Sequence, residues 1–533
     1  ASEKQLPIFL QQKPGKKNFA DDAISTIRMN VTKNPDKTAV IYGDQHLKWS
    51  ELWERSNRLA NGLRGLELNN NDRVIIFLPN CMEYPESILG INKAGLVFCG
   101  VNARLTGVEV AYQLNDSGAR AIILHGIEQL ETIMAIRDQV PNLEHIIMID
   151  GASDGVISYS ELLTTSSGKE PDAQLAPDDV HILMYTSGTT GKPKAAARTC
   201  KSDYHMANAV CHELGLTSDD VYLAVAPMYA AASMGYVYAT MMSGGALAIV
   251  PAFVPDQVFG QIDKYKATWI FMVPIMYEWM LSIPAEVLDV HDVSSLRHVV
   301  ACGAPLHGAT AQKMIGRFPG ADVSNWLGAS EFGFISRFSY RDGLGQEGCV
   351  GKPVFDLELA VFDTEGNIAP QGEPGVLYGR GFSMWEGYLN KAEATAEAYL
   401  DHEWGTVGDI AKLGADGNFY IVDRKNDMII TGGINVYPVE IENVLIHHEA
   451  VADVAVIGVP DDKWGEAVKA LVVPAQGPQV GGADLIDYCR DKLADFKVPK
   501  SVEFIEAVPR TLVGKALKTK LREKYWQDGD VKI

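Results

Sequence analysis

Tyr185-Thr186-Ser187-Gly188-Thr189-Thr190-Gly191-Lys192-Pro193-Lys194 follows directly on the apolar run His181-Ile182-Leu183-Met184. The run has the character of a buried strand. The ten residues after it gather small hydroxyl side chains, two glycines and two lysines. Glycine lets the backbone come close to a ligand and take dihedrals that turn N–H groups toward an anion. Hydroxyls add donors, and lysine adds charge. The stretch predicts a phosphate-binding loop behind a strand, although its composition alone also suits a surface turn. It is not a Walker A loop. That pattern needs glycine where Thr186 stands and serine or threonine where Pro193 stands. A P-loop kinase or motor is therefore disfavoured.

Working outward, strand-like apolar runs alternate with helical patterns. Val74-Ile75-Ile76-Phe77-Leu78 closes at Pro79-Asn80, and a helical pattern covers residues 82–93. Further strand candidates lie at residues 121–124, 145–149, 221–225, 246–250, 269–273 and 299–300. Strands separated by helices predict parallel α/β layers. Near Val350 the rhythm changes: glycine and proline punctuate short strands at residues 357–362 and 375–378, which predicts a β-rich subdomain. After Lys425 comes another α/β unit. It has a helix near residues 439–448, strands at 454–459 and 471–473, and a helical stretch at 485–494. The polar segment 164–179 reads as a surface loop, and no internal repeat is evident. With 533 residues the chain exceeds one compact core. The expected organisation is a large N-terminal domain, residues 1–424, and a small C-terminal α/β domain, residues 425–533. The large domain would combine α/β subdomains with the β-rich one.

Hydrophobic residues make up 47% and charged residues 22%, as in an ordinary globular protein. A net charge of −21 repels phosphate backbones and argues against nucleic-acid binding. Any anionic ligand must be drawn in by local lysines, arginines and amides. The seven cysteines are scattered without a C-x-x-C pair, which argues against zinc clusters and a disulfide framework and suits a reducing cytoplasm. Residues 1–20 lack the apolar core of a signal peptide. The apolar run 236–251 is broken by Ser243-Gly244-Gly245. It reads as a buried helix followed by a strand, since a membrane span needs about 20 apolar residues. No integral membrane association is expected. The closing Val531-Lys532-Ile533 is not a peroxisomal address.

Residues 185–194 resemble the signature loop of the adenylate-forming superfamily: acyl-CoA synthetases, peptide-synthetase adenylation domains and luciferases. Matches continue in the family's order from about Thr38 onward and are closest to acyl-CoA ligases. Ala195 stands where the family usually has glycine, and Cys200 where many members have histidine. Lys93-Ala94-Gly95 with Val101-Asn102-Ala103-Arg104-Leu105 resembles an early core motif, read here as a helix end and turn without a catalytic part. Pro227-Met228-Tyr229-Ala230 resembles Pro-x-Phe-His, whose last position borders the acyl pocket. The resemblance places Tyr229, Ala230, Ala231 and Gly235 at that pocket. Small residues there suit a wide apolar pocket, although from sequence alone close helix packing is favoured, since small apolar runs are usually core.

Further assignments come from the same resemblance. Cys302-Gly303-Ala304-Pro305 would lie beside the adenine, which assigns Gly303, Ala304 and Pro305 to the nucleotide. Asn325-Trp326-Leu327-Gly328-Ala329-Ser330-Glu331 resembles Tyr-Gly-x-Thr-Glu. It implies Ser330 near the α-phosphate and Glu331 on Mg²⁺, a hard cation that prefers oxygen ligands. It also assigns Trp326, Leu327 and Gly328 to the nucleotide. Leu327 replaces an aromatic that commonly stacks on adenine; it keeps apolar contact but loses the π face, so either nucleotide affinity is lower or Trp326 compensates. Gly405-Thr406-Val407-Gly408-Asp409 resembles Thr-Gly-Asp with Val407 for threonine, and Asp409 would accept from the ribose hydroxyls. Arg424 would reach the nucleotide, and Asn426 falls at the hinge, where an unusual φ is tolerated. Gly432 and Gly433 would border the CoA channel, and Pro509-Arg510-Thr511-Leu512-Val513-Gly514-Lys515 would supply the catalytic Lys515.

The implied chemistry joins a carboxylate to ATP and then to CoA. Attack on the α-phosphate exchanges a poor leaving oxygen for AMP, and a thiol then displaces AMP. Two anions must meet first, so Mg²⁺, Lys515 and the loop formed by Thr186, Ser187, Gly188, Thr189, Thr190, Gly191 and Lys192 would neutralise charge. The implied partners are ATP, Mg²⁺, CoA and a small carboxylic acid. That acid would be apolar or bulky: aromatic, alicyclic, steroid-like or medium-chain. The rival readings are a stand-alone enzyme loading a carrier protein, a luciferase-like oxygenase, and a nucleotide-binding sensor without turnover.

Overall fold

The computed structural model describes residues 22–151, 153–172, 175–186, 193–304, 306, 308–343, 348–363, 365–401, 403–424, 427–431, 434–461, 464–475, 480–510 and 516–526. Three sheets organise them. In the first, of eight strands, Val180–Thr186, Val97–Gly100, Arg73–Phe77, Ala121–Leu124, His145–Met148 and Ile157–Ser158 run parallel in that spatial order. Both faces of this sheet are covered. Val74, Ile76, Ile123 and Ile182 enter one core, while Ile75, Phe77, Ile122 and Leu183 enter another. Parallel strands buried on both faces are continuously apolar, which is why the run 74–78 reads as it does.

The second sheet, of fifteen strands, begins with another parallel block. Thr38–Tyr42, Ala246–Ile249, Val221–Ala224, Trp269–Met272, His298–Cys302 and Asp322–Ala329 lie side by side. Beyond Asp322–Ala329 the pairing turns antiparallel through Gly333–Ser339, Cys349–Pro353, Phe419–Arg424 and Asp409–Leu413. This is the β-rich region, with Leu357–Phe362 paired to Gly375–Gly381. The run 236–251 resolves into a helix, Ala231–Ser243, closed by left-handed Gly244, and the strand Ala246–Ile249. Among the described residues, no helix is long and apolar enough to cross a membrane.

The third sheet has five strands, centred on the antiparallel pair Val451–Asp461 and Gly465–Pro474. The first of these is longer than the segment 454–459 read from the sequence. Its ladder continues through Pro460↔Glu466 to Asp461↔Gly465, where Gly465 takes a φ of +78°. The helices Pro438–Ile446 and Gly482–Arg490 cover it through Ile441, Leu445 and Leu485. The second helix ends at Arg490, short of residue 494.

Side chains tie these layers together. Lys93, at the end of the helix Glu83–Lys93, donates to Ser56 Oγ (2.7 Å), Asn57 Oδ1 (2.9 Å) and Trp53 O (3.2 Å). It thereby fastens that helix to Trp49–Gly65. Asn80 joins the two large sheets. It follows a strand of the first, donates to Ala226 O (3.0 Å) and Val250 O (3.1 Å), and accepts from Met228 N–H (2.8 Å). It is buried, so each bond lost strands a polar group away from water. Asn80→Leu is expected to lower unfolding free energy by about 3 kcal/mol. An unchanged denaturant midpoint would show that the two sheets hold together without this amide.

Candidate functional site

The carboxyl ends of both parallel blocks carry the motif residues. In the first sheet, Val180–Thr186 returns antiparallel as Lys194–Thr199, with Thr186 in register with Lys194 and Tyr185 with Ala195. Both ends of the phosphate loop are thus fixed side by side. Ser187, Gly188, Thr189, Thr190, Gly191 and Lys192 lie outside the described residues. Half-buried Thr186 lies 3.4 Å through its hydroxyl from Lys194 O.

In the second sheet, Gly303 and Ala304 follow the strand His298–Cys302. Gly303 takes a φ of +92°, a left-handed turn that favours glycine. Pro305 lies outside the described residues. The neighbouring strand Asp322–Ala329 carries Trp326, Leu327 and Gly328 and ends in a tight hairpin holding Ser330 and Glu331. A register shift falls between Leu327 and Gly328. A Cβ at Gly328 would stand 2.9 Å from Gly333 O, so glycine is needed for the chains to approach.

Trp326 departs from the expectation. It is 2% exposed, its indole N–H donates to Ser324 Oγ (3.0 Å), and its ring meets Tyr236 and Phe334 edge-on. Alternation along a strand puts 326 and 327 on opposite faces. Trp326 is therefore sealed in the core and presents no face that could stand in for the missing aromatic at 327. Leu327 is only half-buried.

Glu331 is 7% exposed, and its Oε1 accepts from the Tyr388 hydroxyl at 2.6 Å. Burial first, and then the charge of Glu331, push the Tyr388 hydroxyl up, so it stays protonated and donates. Tyr388 belongs to the short strand Gly387–Tyr388, which pairs with Lys194–Thr199 at Ala196. The Lys194 ammonium lies 5.2 Å from the Tyr388 ring centre. Glu331, Tyr388 and Lys194 thus meet at the base of the phosphate-loop hairpin. Phe332, beside Glu331, lines a small cavity together with Val407 and Asp409. Buried Asp409 opens the strand Asp409–Leu413, preceded by left-handed Gly408, whose N–H donates to Thr406 Oγ1 (3.0 Å). Asp409 stands opposite Arg424 in the ladder. The Arg424 side chain, Asn426, Gly432, Gly433 and Lys515 all lie outside the described residues.

The stretch placed at the acyl pocket divides in two. Tyr229, Ala230 and Ala231 are half-buried at the start of the helix Ala231–Ser243. A Cβ on Gly100, at the end of a first-sheet strand, would stand 3.3 Å from Tyr229 Cα, so the two sheets meet here. Gly235 lies one turn further in, where a Cβ would stand 2.8 Å from the Phe334 ring and 3.2 Å from Met206. The packing reading applies to Gly235. Its missing side chain makes room for Phe334 and does not widen an open pocket.

Sequence reasoning missed Tyr388 and also Arg198, which is buried in the strand after the loop. A signal for Arg198 existed: a charged residue directly after Ala195-Ala196-Ala197 must find a partner if that strand is buried. Tyr388 had none, because its contact depends on a strand pairing nearly 200 residues away.

A family model for AMP-binding enzymes matches residues 27–389, and one for the AMP-binding enzyme C-terminal domain matches residues 440–515. A feruloyl-CoA synthase from Amycolatopsis sp is 36% identical over 501 residues, covering 92% of this chain and 96% of that protein. A long-chain-fatty-acid–CoA ligase from Mycobacterium tuberculosis (strain ATCC 25618 / H37Rv) is 34% identical over 505 residues, covering 94% and 97%. The crystal structure of an anthranilate CoA ligase in complex with anthranoyl-AMP superposes with a TM-score of 0.86 at 30% identity, covering 96% of this chain and 99% of that one. The chain belongs to the AMP-binding, adenylate-forming enzyme family.

Proposed function

We propose that this protein is an AMP-forming acid–CoA ligase for aromatic or otherwise bulky apolar carboxylic acids. The observation that carries the reading is the gathering of Glu331, Tyr388 and Lys194 at the base of the phosphate-loop hairpin. Similarity to CoA ligases over nearly the whole chain supports CoA as acceptor. Feruloyl and anthranoyl groups in the names of similar proteins favour an aromatic acid. So does the half-open run of small residues after Tyr229.

In the first half-reaction a carboxylate oxygen of the acid attacks the α-phosphorus of ATP and pyrophosphate leaves. In the second the CoA thiol attacks the acyl carbonyl, loses its proton and expels AMP. No side-chain nucleophile is required. Among the described residues, no group of three or more His, Cys, Asp or Glu could hold a metal. A single carboxylate, completed by phosphate oxygens and water, suits Mg²⁺. Glu331 fits that part, since only one of its oxygens is engaged by Tyr388 among the described bonds. Bound there, Mg²⁺ would offset the charge that builds up on the phosphates.

Ser330 would face the α-phosphate, Asp409 the ribose, and Gly303, Ala304 and Leu327 the purine. Lys515 would stabilise charge during adenylation, and Gly432 and Gly433 would serve thioester formation. A boundary at residues 424–425, with a hinge at Asn426, would let a small C-terminal domain alternate between the two. Seven free thiols fit a reducing, cytoplasmic setting.

Pyrophosphate and AMP release from ATP and Mg²⁺ with a panel of acids, with and without CoA, tests the reading. CoA-dependent turnover with aromatic acids is expected. Pyrophosphate exchange indifferent to CoA would point to a carrier protein, and ATP binding without any turnover to a sensor. Tyr388→Phe is expected to lower the adenylation rate and raise the Mg²⁺ requirement, each by about tenfold, because it frees the Glu331 carboxylate. Lys515→Ala should slow adenylation by about 10²–10³-fold while sparing thioester formation from supplied acyl-AMP. Equal loss of both steps would reject that division. Ala230→Trp should selectively depress turnover of the larger acids, and uniform losses across acid sizes would remove Ala230 from the pocket.

A further inference from the structure

Below the hairpin lies a charged cluster that the reaction does not touch. Arg198 and Asp203 are fully buried, and His181 is 3% exposed. Arg198 Nε donates to Asp203 Oδ1, and His181 Nε2 lies 2.8 Å from Asp203 Oδ2. Behind His181, Nδ1 stands 3.1 Å from Asn92 Oδ1, which also accepts from the Tyr238 hydroxyl (3.0 Å). On the other side, Arg198 Nη1 donates to Glu331 O (3.2 Å) and lies 3.4 Å from Ser330 O. Arg198 Nη2 lies 3.4 Å from Ser202 O.

Burial alone would raise the carboxyl of Asp203. The Arg198 charge and the His181 contact outweigh it and hold the group below the ordinary carboxylate range. The guanidinium is thus engaged by a buried anion and is not left to attract a substrate. Of the rest of its planar fork, Nη1 points at the main chain of residues 330 and 331 while Nη2 faces Ser202 O, and such charge-assisted bonds are the strong kind.

Arg198 and Tyr388 reach Glu331 from adjacent paired strands. The first fixes the backbone and the second the carboxylate. We infer that Arg198, Asp203 and His181 are positioning residues that lock the Ser330–Glu331 main chain to the strand Lys194–Thr199, so that Glu331 keeps one geometry toward the nucleotide–metal complex. Cys200, Ser202 and Met206 share the first turns of the helix Cys200–Leu214 with Asp203. Thr199 and Ser202 cap it reciprocally, Ser202 N–H on Thr199 Oγ1 (3.1 Å) and Thr199 N–H on Ser202 Oγ (3.0 Å), which fixes where Asp203 stands.

The inference rests on the ligase reading through the role given to Glu331. Its test uses the full chain, with Mn²⁺ as the probe, titrated by electron paramagnetic resonance in the presence of ATP, alongside acid-dependent pyrophosphate release. Removing Arg198 alone would leave Asp203 as a lone buried charge, so the variants are Arg198→Lys and the charge-free pair Arg198→Met with Asp203→Leu. Both are expected to weaken Mn²⁺ binding and lower kcat by about tenfold, with KM for the acid unchanged. A folded double variant with wild-type Mn²⁺ binding and kcat would reduce the cluster to packing and overturn the inference. If the double variant does not fold, wild-type values for Arg198→Lys would overturn it in the same way. Wild-type protein that binds no Mn²⁺ with ATP and turns over no acid would instead overturn the ligase reading, and the positioning role with it.

Discussion

One side-chain amide decides where the two large sheets meet. Asn80 gives both amide hydrogens to main-chain carbonyls of the second sheet and takes the Met228 N–H on its oxygen. Buried polar groups tolerate few alternative partners, so this sets the alignment closely. Two residues beyond Met228 the helix Ala231–Ser243 receives its N-cap, Ala230. Tyr229, between them, packs against the end of the strand Val97–Gly100. The carboxyl ends of both parallel blocks therefore open toward one region. Ligands of open parallel sheets bind at such ends, and the nucleotide-motif residues lie there because the sheets are joined there.

The parallel blocks were legible in the sequence because burial on both faces writes itself as unbroken apolar runs. The strand ahead of the phosphate-loop motif was legible for the same reason, since the apolar run 181–184 falls within Val180–Thr186. The helix–strand reading of residues 236–251 held because Gly244 stops the helix in a left-handed cap. The burial of Trp326 could not be read from the sequence, for a physical reason. A motif match gives position along the strand but not which face the side chain takes, and the face is set by the phase of the ladder. Gly235 shows the same limit, since only the location of Phe334 reveals what its missing side chain accommodates. Tyr388 and the Arg198 cluster were invisible because their partners are distant in sequence.

Charge is distributed in a way that composition conceals. A chain with a net charge of −21 that handles anions must concentrate positive potential where it counts. Arg198 sits close to the site yet is paired with Asp203, so its charge acts over a single bond length. Lys194, over the Tyr388 ring, stays at the hairpin base where an approaching phosphate would meet it. Burial separates the two cations: Arg198 is sealed while Lys194 is half-exposed.

Sealing Trp326 into the core also bears on how a purine would be held. If the base lies beside residues 303–304, no indole face lies on the site side of position 327, and Leu327 offers contact without a π system. Stacking then contributes little, and recognition falls to the main chain near the left-handed Gly303, whose geometry admits a flat ligand where a side chain would stand in the way. The contact between Arg198 and the main chain of residues 330 and 331 then bears more of the site's geometry than any ring at position 327.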